Sequence, residues 1–227
     1  VNTGGAIALV AGANRGLGRA FARGLLAHGA RTVYAAAHDT KAVTGAGLTP
    51  LVLDITDPAS VAAAAERCPD TTLVVNNAGI QRDGSLLTAD SLDGARDELE
   101  TNLFGKLAMC RAFAPVLGKN DGGALINALS VLSWHTLPQI GSSKATAWSM
   151  TNAVREDRRA QDTLTIAVHA AFIDTDIAAH VDQTKISPAD VVDQVLDAVE
   201  AVREEAPAED VTRQARAMLS RGANHDH

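Results

Sequence analysis

Short continuous apolar runs alternate along this chain with stretches in which apolar residues recur at helical spacing. Residues 6–10 read as a buried strand ending in a glycine-rich turn, and residues 17–28 as the helix that follows. Further strands are expected at 31–37, 51–53, 72–76, 123–129 and 164–171. Helices are expected at 58–68, at 91–117 with one long apolar face, and at 142–161, 188–204 and 210–220. Strands that are apolar throughout are covered on both faces, and strands alternating with helices call for a parallel sheet between two helical layers. The pattern therefore predicts an α/β fold: one doubly wound parallel-sheet domain over residues 1–221, with a polar tail at 222–227.

Composition narrows the partners. Of the 227 residues, 46% are hydrophobic but only 3% aromatic, so the core is built from small aliphatic side chains. The net charge of -7 repels a phosphate backbone, so no nucleic-acid partner is expected. A local site can still take a nucleotide against the mean charge. Cys68 and Cys110 sit in neither a CxxC nor a Cys/His pattern, so they read as two buried thiols with no metal site. No apolar run approaches the ~20 residues that span a bilayer, so no membrane partner is expected. The first apolar run belongs to a strand rather than to a signal peptide, and the expected address is cytoplasmic.

The strongest local motif is Gly12-Ala13-Asn14-Arg15-Gly16-Leu17-Gly18, between the first strand and the first helix. Glycines there allow a tight turn and close backbone approach, and the helix N-terminus offers free N–H groups to a pyrophosphate. Without a ligand the same residues would make only a turn. The Gly-x-x-x-Gly-x-Gly spacing, Asn76-Asn77-Ala78-Gly79 at the end of the fourth strand, and Asp54-Ile55 after the third together resemble the short-chain dehydrogenase/reductase family. The resemblance covers nearly all of residues 5–220 and implies a Rossmann-type fold. It also implies a nicotinamide cofactor beside Asn77, Ala78 and Gly79, with its adenine near Asp54 and Ile55. NADP(H) is favoured over NAD(H). No carboxylate closes the second strand, where NAD sites carry one, although Asp39 is close. Arg15 stands where relatives place a base for the 2′-phosphate, and His38 where they often carry a second arginine.

The same resemblance implies a catalytic set of Ser, Tyr and Lys, with an Asn behind it. Asn102, Ser130 and Lys144 match three of these, and Ile173 and Thr175 match the positions beside the carboxamide. The tyrosine is expected four residues before Lys144, where the chain has Ile140, and the only tyrosine is Tyr34 in the second strand. The interval from Ser130 to Lys144 is shorter than in relatives, as a small deletion around Pro138-Gln139-Ile140 would leave it. His135, in the loop after Ser130, is the candidate substitute proton donor, because an imidazole does acid–base work near neutral pH. The alternative for His135 is a loop residue shaping the pocket. Ser142 and Ser143 read as helix caps rather than chemical groups, and His169 as structural. Ala171 replaces a family glycine and could crowd the cofactor.

These residues imply reduction or oxidation of a small carbonyl or alcohol compound with an altered proton donor. Two other readings stay open: a cyclase, isomerase or lyase on the same fold, and a catalytically silent partner subunit. Relatives share a dimer surface on the helices at 91–117 and 142–161, so a homodimer or homotetramer is expected, or a heterodimer with a relative that has the tyrosine. Residues 178–187 are expected to form a flap over the pocket, and residues 132–137 one of its walls.

Overall fold

The structure is a computed structural model that describes residues 1–82, 87–135, 142–179 and 181–222. Seven parallel strands form one sheet: β1 (Ile7–Ala11), β2 (Thr32–Ala37), β3 (Leu48–Val52), β4 (Leu73–Asn76), β5 (Gly123–Ala128), β6 (Thr163–His169) and β7 (Glu205–Pro207). Their order is β3-β2-β1-β4-β5-β6-β7, so the winding direction reverses between β1 and β4. Ligands of open α/β sheets bind outside the strand C-termini at such a reversal.

The helices are α1 (Gly16–Ala27), α2 (Pro58–Arg67), α3 (Asp93–Leu99), α4 (Lys106–Lys119), α5 (Ser142–Arg158), α6 (Pro188–Glu200) and α7 (Asp210–Gly222). Alternation along β1 divides the core. Ala8 and Val10 pack with Phe21, Leu25, Val191 and Val195 of α1 and α6. Leu9 and Ala11 pack with Val61, Met109 and Phe113 of α2 and α4. With no strand residue spared for solvent, β1, β4 and nearly all of β5 are buried on both faces.

The expected elements hold, with four corrections. First, β3 starts earlier than residue 51 and includes Thr49 and Pro50. It is an edge strand paired only to β2, so a proline without an N–H costs no ladder bond. Second, α6 ends at Glu200 rather than at 204, and a seventh strand that the pattern does not predict follows it. β7 is three residues long and pairs with β6 at the opposite edge. Third, β6 ends at His169, which frees Ala170 and Ala171 to turn into the cleft. Fourth, the single helix expected at 91–117 is two helices joined by a π-helical segment, Glu100–Gly105. That segment carries Asn102, and π segments recur at functional sites because they re-aim side chains. Gly222 still belongs to α7, and residues 223–227 of the expected tail lie outside the described residues.

Candidate active site

A cleft of about 710 Å³ opens at the C-terminal ends of the strands, over the reversal between β1 and β4. The glycine-rich turn forms one wall: Gly12, Asn14, Arg15, Gly16 and Leu17 all line it. Gly18 lies beneath. A Cβ there would sit 2.0 Å from the Gly12 carbonyl oxygen and 2.6 Å from Asn77 Nδ2, so only glycine lets α1 start this close to the turn. Asn77 Nδ2 ties the two loops by donating to Gly12 O (3.3 Å), and Arg19 Nε donates to Asn14 O (3.1 Å). No side chain caps the N-terminus of α1, and no acid stands in its first turn. Its N–H groups therefore face the cleft free for an anion.

The other expected contacts fall around this opening. His38, exposed at the end of β2, lines the cleft together with Asp54 and Ile55. Asp39 does not line it; its carboxylate accepts from Lys41 N (2.9 Å) and caps a short 3₁₀ turn. The Asp54 carboxyl accepts from the Thr56 hydroxyl (2.7 Å) and N–H (2.9 Å), which hold its pKa below the ordinary value. Asn77, Ala78 and Gly79 line the floor, and Ile173 and Thr175 the far side. Arg15 reaches across toward Asp176, at 3.8 Å, with both side chains mostly exposed. An anion entering there meets a guanidinium bound only weakly to its neighbour. The open helix end, the glycine-only approach and the weakly paired Arg15 guanidinium fit a phosphorylated dinucleotide.

Ser130 and Lys144 face each other's region of the same cleft. Ser130 lies two residues beyond the end of β5 and caps the next turn: its Oγ accepts from Leu132 N (3.2 Å) and lies 3.4 Å from Ala170 O. Lys144, half-buried in the first turn of α5, has its Nζ close to Gly79, since a Cβ there would lie 3.5 Å from it. Withdrawal from water lowers the Lys144 pKa, and the negative charge of Glu98 pulls it partly back. Asn102 is fully buried and does not line the cleft. It acts from behind, accepting from Ile80 N (2.9 Å) and donating to Ile80 O (2.8 Å) and Ser143 Oγ (3.1 Å). Ile80 itself lines the cleft, so Asn102 fixes that wall.

His135 is placed differently from the expectation. It is exposed, its N–H bonds to Val131 O (3.0 Å), and it is not among the residues that line the cleft. Residues 136–141, which include Ile140 and the rest of the expected wall, lie outside the described residues. Tyr34 is in β2 with its hydroxyl donating to Asp70 (3.2 Å), away from the cleft. Ala171 lines the cleft with its backbone outside the left-handed region, and its N–H donates to Glu209 Oε1 (2.5 Å). Of the flap, Ala178 lines the cleft, and Ile186 is anchored by a bridge to Ile173.

Three buried groups escaped the sequence reading. Ser143 is no cap: its hydroxyl is buried and donates to Glu98 Oε2 (3.0 Å). Glu98, on α3, also accepts from Arg82 N (2.7 Å). Lys106 is fully buried, with Nζ donating to Asn76 O (2.7 Å) and Ala78 O (2.9 Å). Burial, and next the charge of Lys144, hold its pKa well below the ordinary value. The signal was present, for Lys106 shares the buried face of α4 with Cys110, Phe113 and Leu117 at helical spacing.

Comparison with known proteins agrees with this geometry. The short chain dehydrogenase profile matches residues 6–186. A short chain dehydrogenase from Burkholderia cenocepacia J2315, solved in complex with NADP, superposes with a TM-score of 0.93 at 38% identity, over 99% of this chain and 98% of that one. The 3-oxoacyl-(acyl-carrier-protein) reductase FabG of Salmonella typhimurium strain LT2 is 32% identical over 187 residues, which is 76% of this chain and 75% of the relative. A Burkholderia phymatum short chain dehydrogenase/reductase solved with NAD shares the fold at a TM-score of 0.85 and 23% identity, covering 100% of this chain and 97% of that one. Residues that build the same cleft, a profile match across most of the sheet and a near full-length superposition make this chain a member of the short-chain dehydrogenase/reductase family of oxidoreductases.

Proposed function

We propose that this protein is an NADP(H)-dependent reductase of a small carbonyl compound, in which Lys144 rather than a tyrosine holds the transferred proton. The observation that carries the reading is the meeting, in one cleft, of an uncapped α1 N-terminus with Arg15 and a desolvated Lys144. Arg15 and His38 hold the 2′-phosphate, the N-terminus of α1 the pyrophosphate, and Asp54 and Ile55 the adenine. Bound NADP(H) supplies the hydride. Ser130 turns its hydroxyl from Ala170 O to the substrate oxygen and orients the carbonyl. Lys144 Nζ then gives that oxygen a proton as the alkoxide forms. An ammonium whose pKa is lowered from its ordinary value is a better acid for this step than a free lysine, and a positioned acid contributes about 10²–10⁴ in rate. The NADP in the Burkholderia cenocepacia relative and the reductase activity named for the Salmonella relative support the same direction.

Titration with NADPH and NADH, followed by cofactor fluorescence, tests the first half. NADPH is expected to bind more tightly, and Arg15→Ala to weaken NADPH about tenfold with little change for NADH. Consumption of NADPH with small ketones and aldehydes tests the second half. Lys144→Met is expected to lower turnover by about 10² or more. Binding without consumption would instead favour a non-redox catalyst, and binding of neither cofactor a silent partner subunit.

A further inference from the structure

We propose that Glu98 is a positioning residue for this cleft: a buried carboxylate that, through Ser143 and Asn102, fixes the wall formed by Ile80 and sets a negative charge against the turn of α5 that carries Lys144. The inference rests on the reading of Lys144 as the proton-bearing group. Glu98 is the one acidic residue among the buried polar side chains of the described residues, at 8% exposed. A carboxylate is rarely buried without partners, and here both oxygens are used. Oε1 accepts from Arg82 N at 2.7 Å and Oε2 from the Ser143 hydroxyl at 3.0 Å.

The second bond gives the chain a direction. A carboxylate can only accept, so the single proton of Ser143 is committed to Glu98. The Ser143 oxygen is then left as an acceptor, and Asn102 Nδ2 donates to it at 3.1 Å. That fixes which way the Asn102 amide points, with Oδ1 toward Ile80 N and Nδ2 toward Ile80 O. Ser143 cannot at the same time serve a substrate oxygen, although it precedes Lys144 in the chain.

Charge gives the second half of the argument. Two charged groups interact with Lys144, Glu98 on α3 and Lys106 on α4, while the guanidinium of Arg82, on the loop after β4, is turned toward Asp97 at 3.0 Å. Lys106 and Lys144 repel each other, and burial weakens the charge on both. Glu98 is the negative charge that opposes this at Lys144. Without it, the lowering of the Lys144 pKa by burial would be unopposed.

Competitive acetylation of the full chain with acetic anhydride, from neutral to alkaline pH and read by peptide mass spectrometry, reports the titration midpoint of each lysine. The exposed Lys41 and Lys119 serve as internal references. In Glu98→Gln the Lys144 midpoint is expected to fall by on the order of one pH unit, with Lys41 and Lys119 unmoved. Glu98→Asp, which keeps the charge but draws it back by one methylene, is expected to give a smaller fall in the same direction. It also decides the matter if Glu98→Gln fails to melt cooperatively. An unchanged or raised Lys144 midpoint in a folded variant would overturn the proposal and leave Glu98 a structural acceptor. Since neither cofactor nor substrate is present, this outcome is independent of whether hydride transfer occurs.

Discussion

His169 shows how a single side chain can set an acid limit on the whole protein. It is fully buried at the end of β6 and stacks on Trp134 with ring centroids 3.8 Å apart. Its Nδ1 lies 3.0 Å from Ser130 O, which can only accept, so that nitrogen carries the proton of the neutral ring. Nε2 is buried with no hydrogen-bond partner among the described residues, so a second proton there would be a charge withdrawn from solvent that the more distant Glu205 offsets only in part. Burial accordingly pushes the His169 pKa down to about 4. The unfolded ring titrates near 6.5, so between these values the unfolded chain binds more protons than the folded one. The contribution is complete above pH ~6.5 and is lost as the pH falls toward ~4, by up to about 3 kcal/mol. His169→Phe keeps the stack and removes the titration. Urea midpoints measured across this window should fall less steeply with acid in the variant. Equal slopes would assign the acid sensitivity to other groups. Residues of this kind are the least legible ones. Gly12, Gly16 and Gly18 announce themselves by spacing and Lys144 by its likeness to a family position, whereas Glu98 looks like a solvated helix charge until its partners are in place.

At the level of elements, the central strands could be read directly because burial on both faces makes them apolar runs. The edges could not. Thr49-Pro50 in β3 and Glu205-Ala206-Pro207 in β7 are short and polar or proline-containing, which is what a strand with one neighbour tolerates. The π segment was hidden for a different reason: 91–117 keeps helical spacing throughout, and one widened turn does not disturb that pattern. Its effect is local and functional, since Asn102 lies within it and Lys106 opens the next helix. Lys106 binds the carbonyls of Asn76 and Ala78 and so pins the β4 loop that forms the cleft floor. Lys106→Met fills the same volume but leaves the buried Asn76 and Ala78 carbonyls without their donor, at a cost of about 1–3 kcal/mol for each group left unsatisfied. It also frees the loop. We expect a melting temperature lowered by on the order of 10 °C and NADPH binding weakened about tenfold, because the freed loop no longer holds the cleft floor in place. An unchanged dissociation constant would show that the loop is held by Asn77 and Asn102 alone.

For the molecule as a whole, the cleft belongs to no single element. Its walls come from the loops after β1, β2, β3, β4, β5 and β6, brought together only when the sheet is assembled in its order with the reversal between β1 and β4. A ligand that needs all of these loops binds the folded chain and not the unfolded one, so it must stabilise the entire fold rather than a lobe of it. Free cofactor at about a hundred times its dissociation constant adds about 2.7 kcal/mol. For a domain of this size that corresponds to a rise in melting temperature of about 5–10 °C. Differential scanning fluorimetry at matched concentrations should give a single transition, moved further by NADPH than by NADH. In Arg15→Ala the NADPH shift should shrink toward that of NADH, because the two cofactors differ only in the 2′-phosphate, which Arg15 and His38 are proposed to hold. A transition that splits would mean that part of the chain unfolds independently of the cleft. Equal shifts in the parent protein would remove Arg15 as the discriminating group, and the preference would then have to be sought at His38.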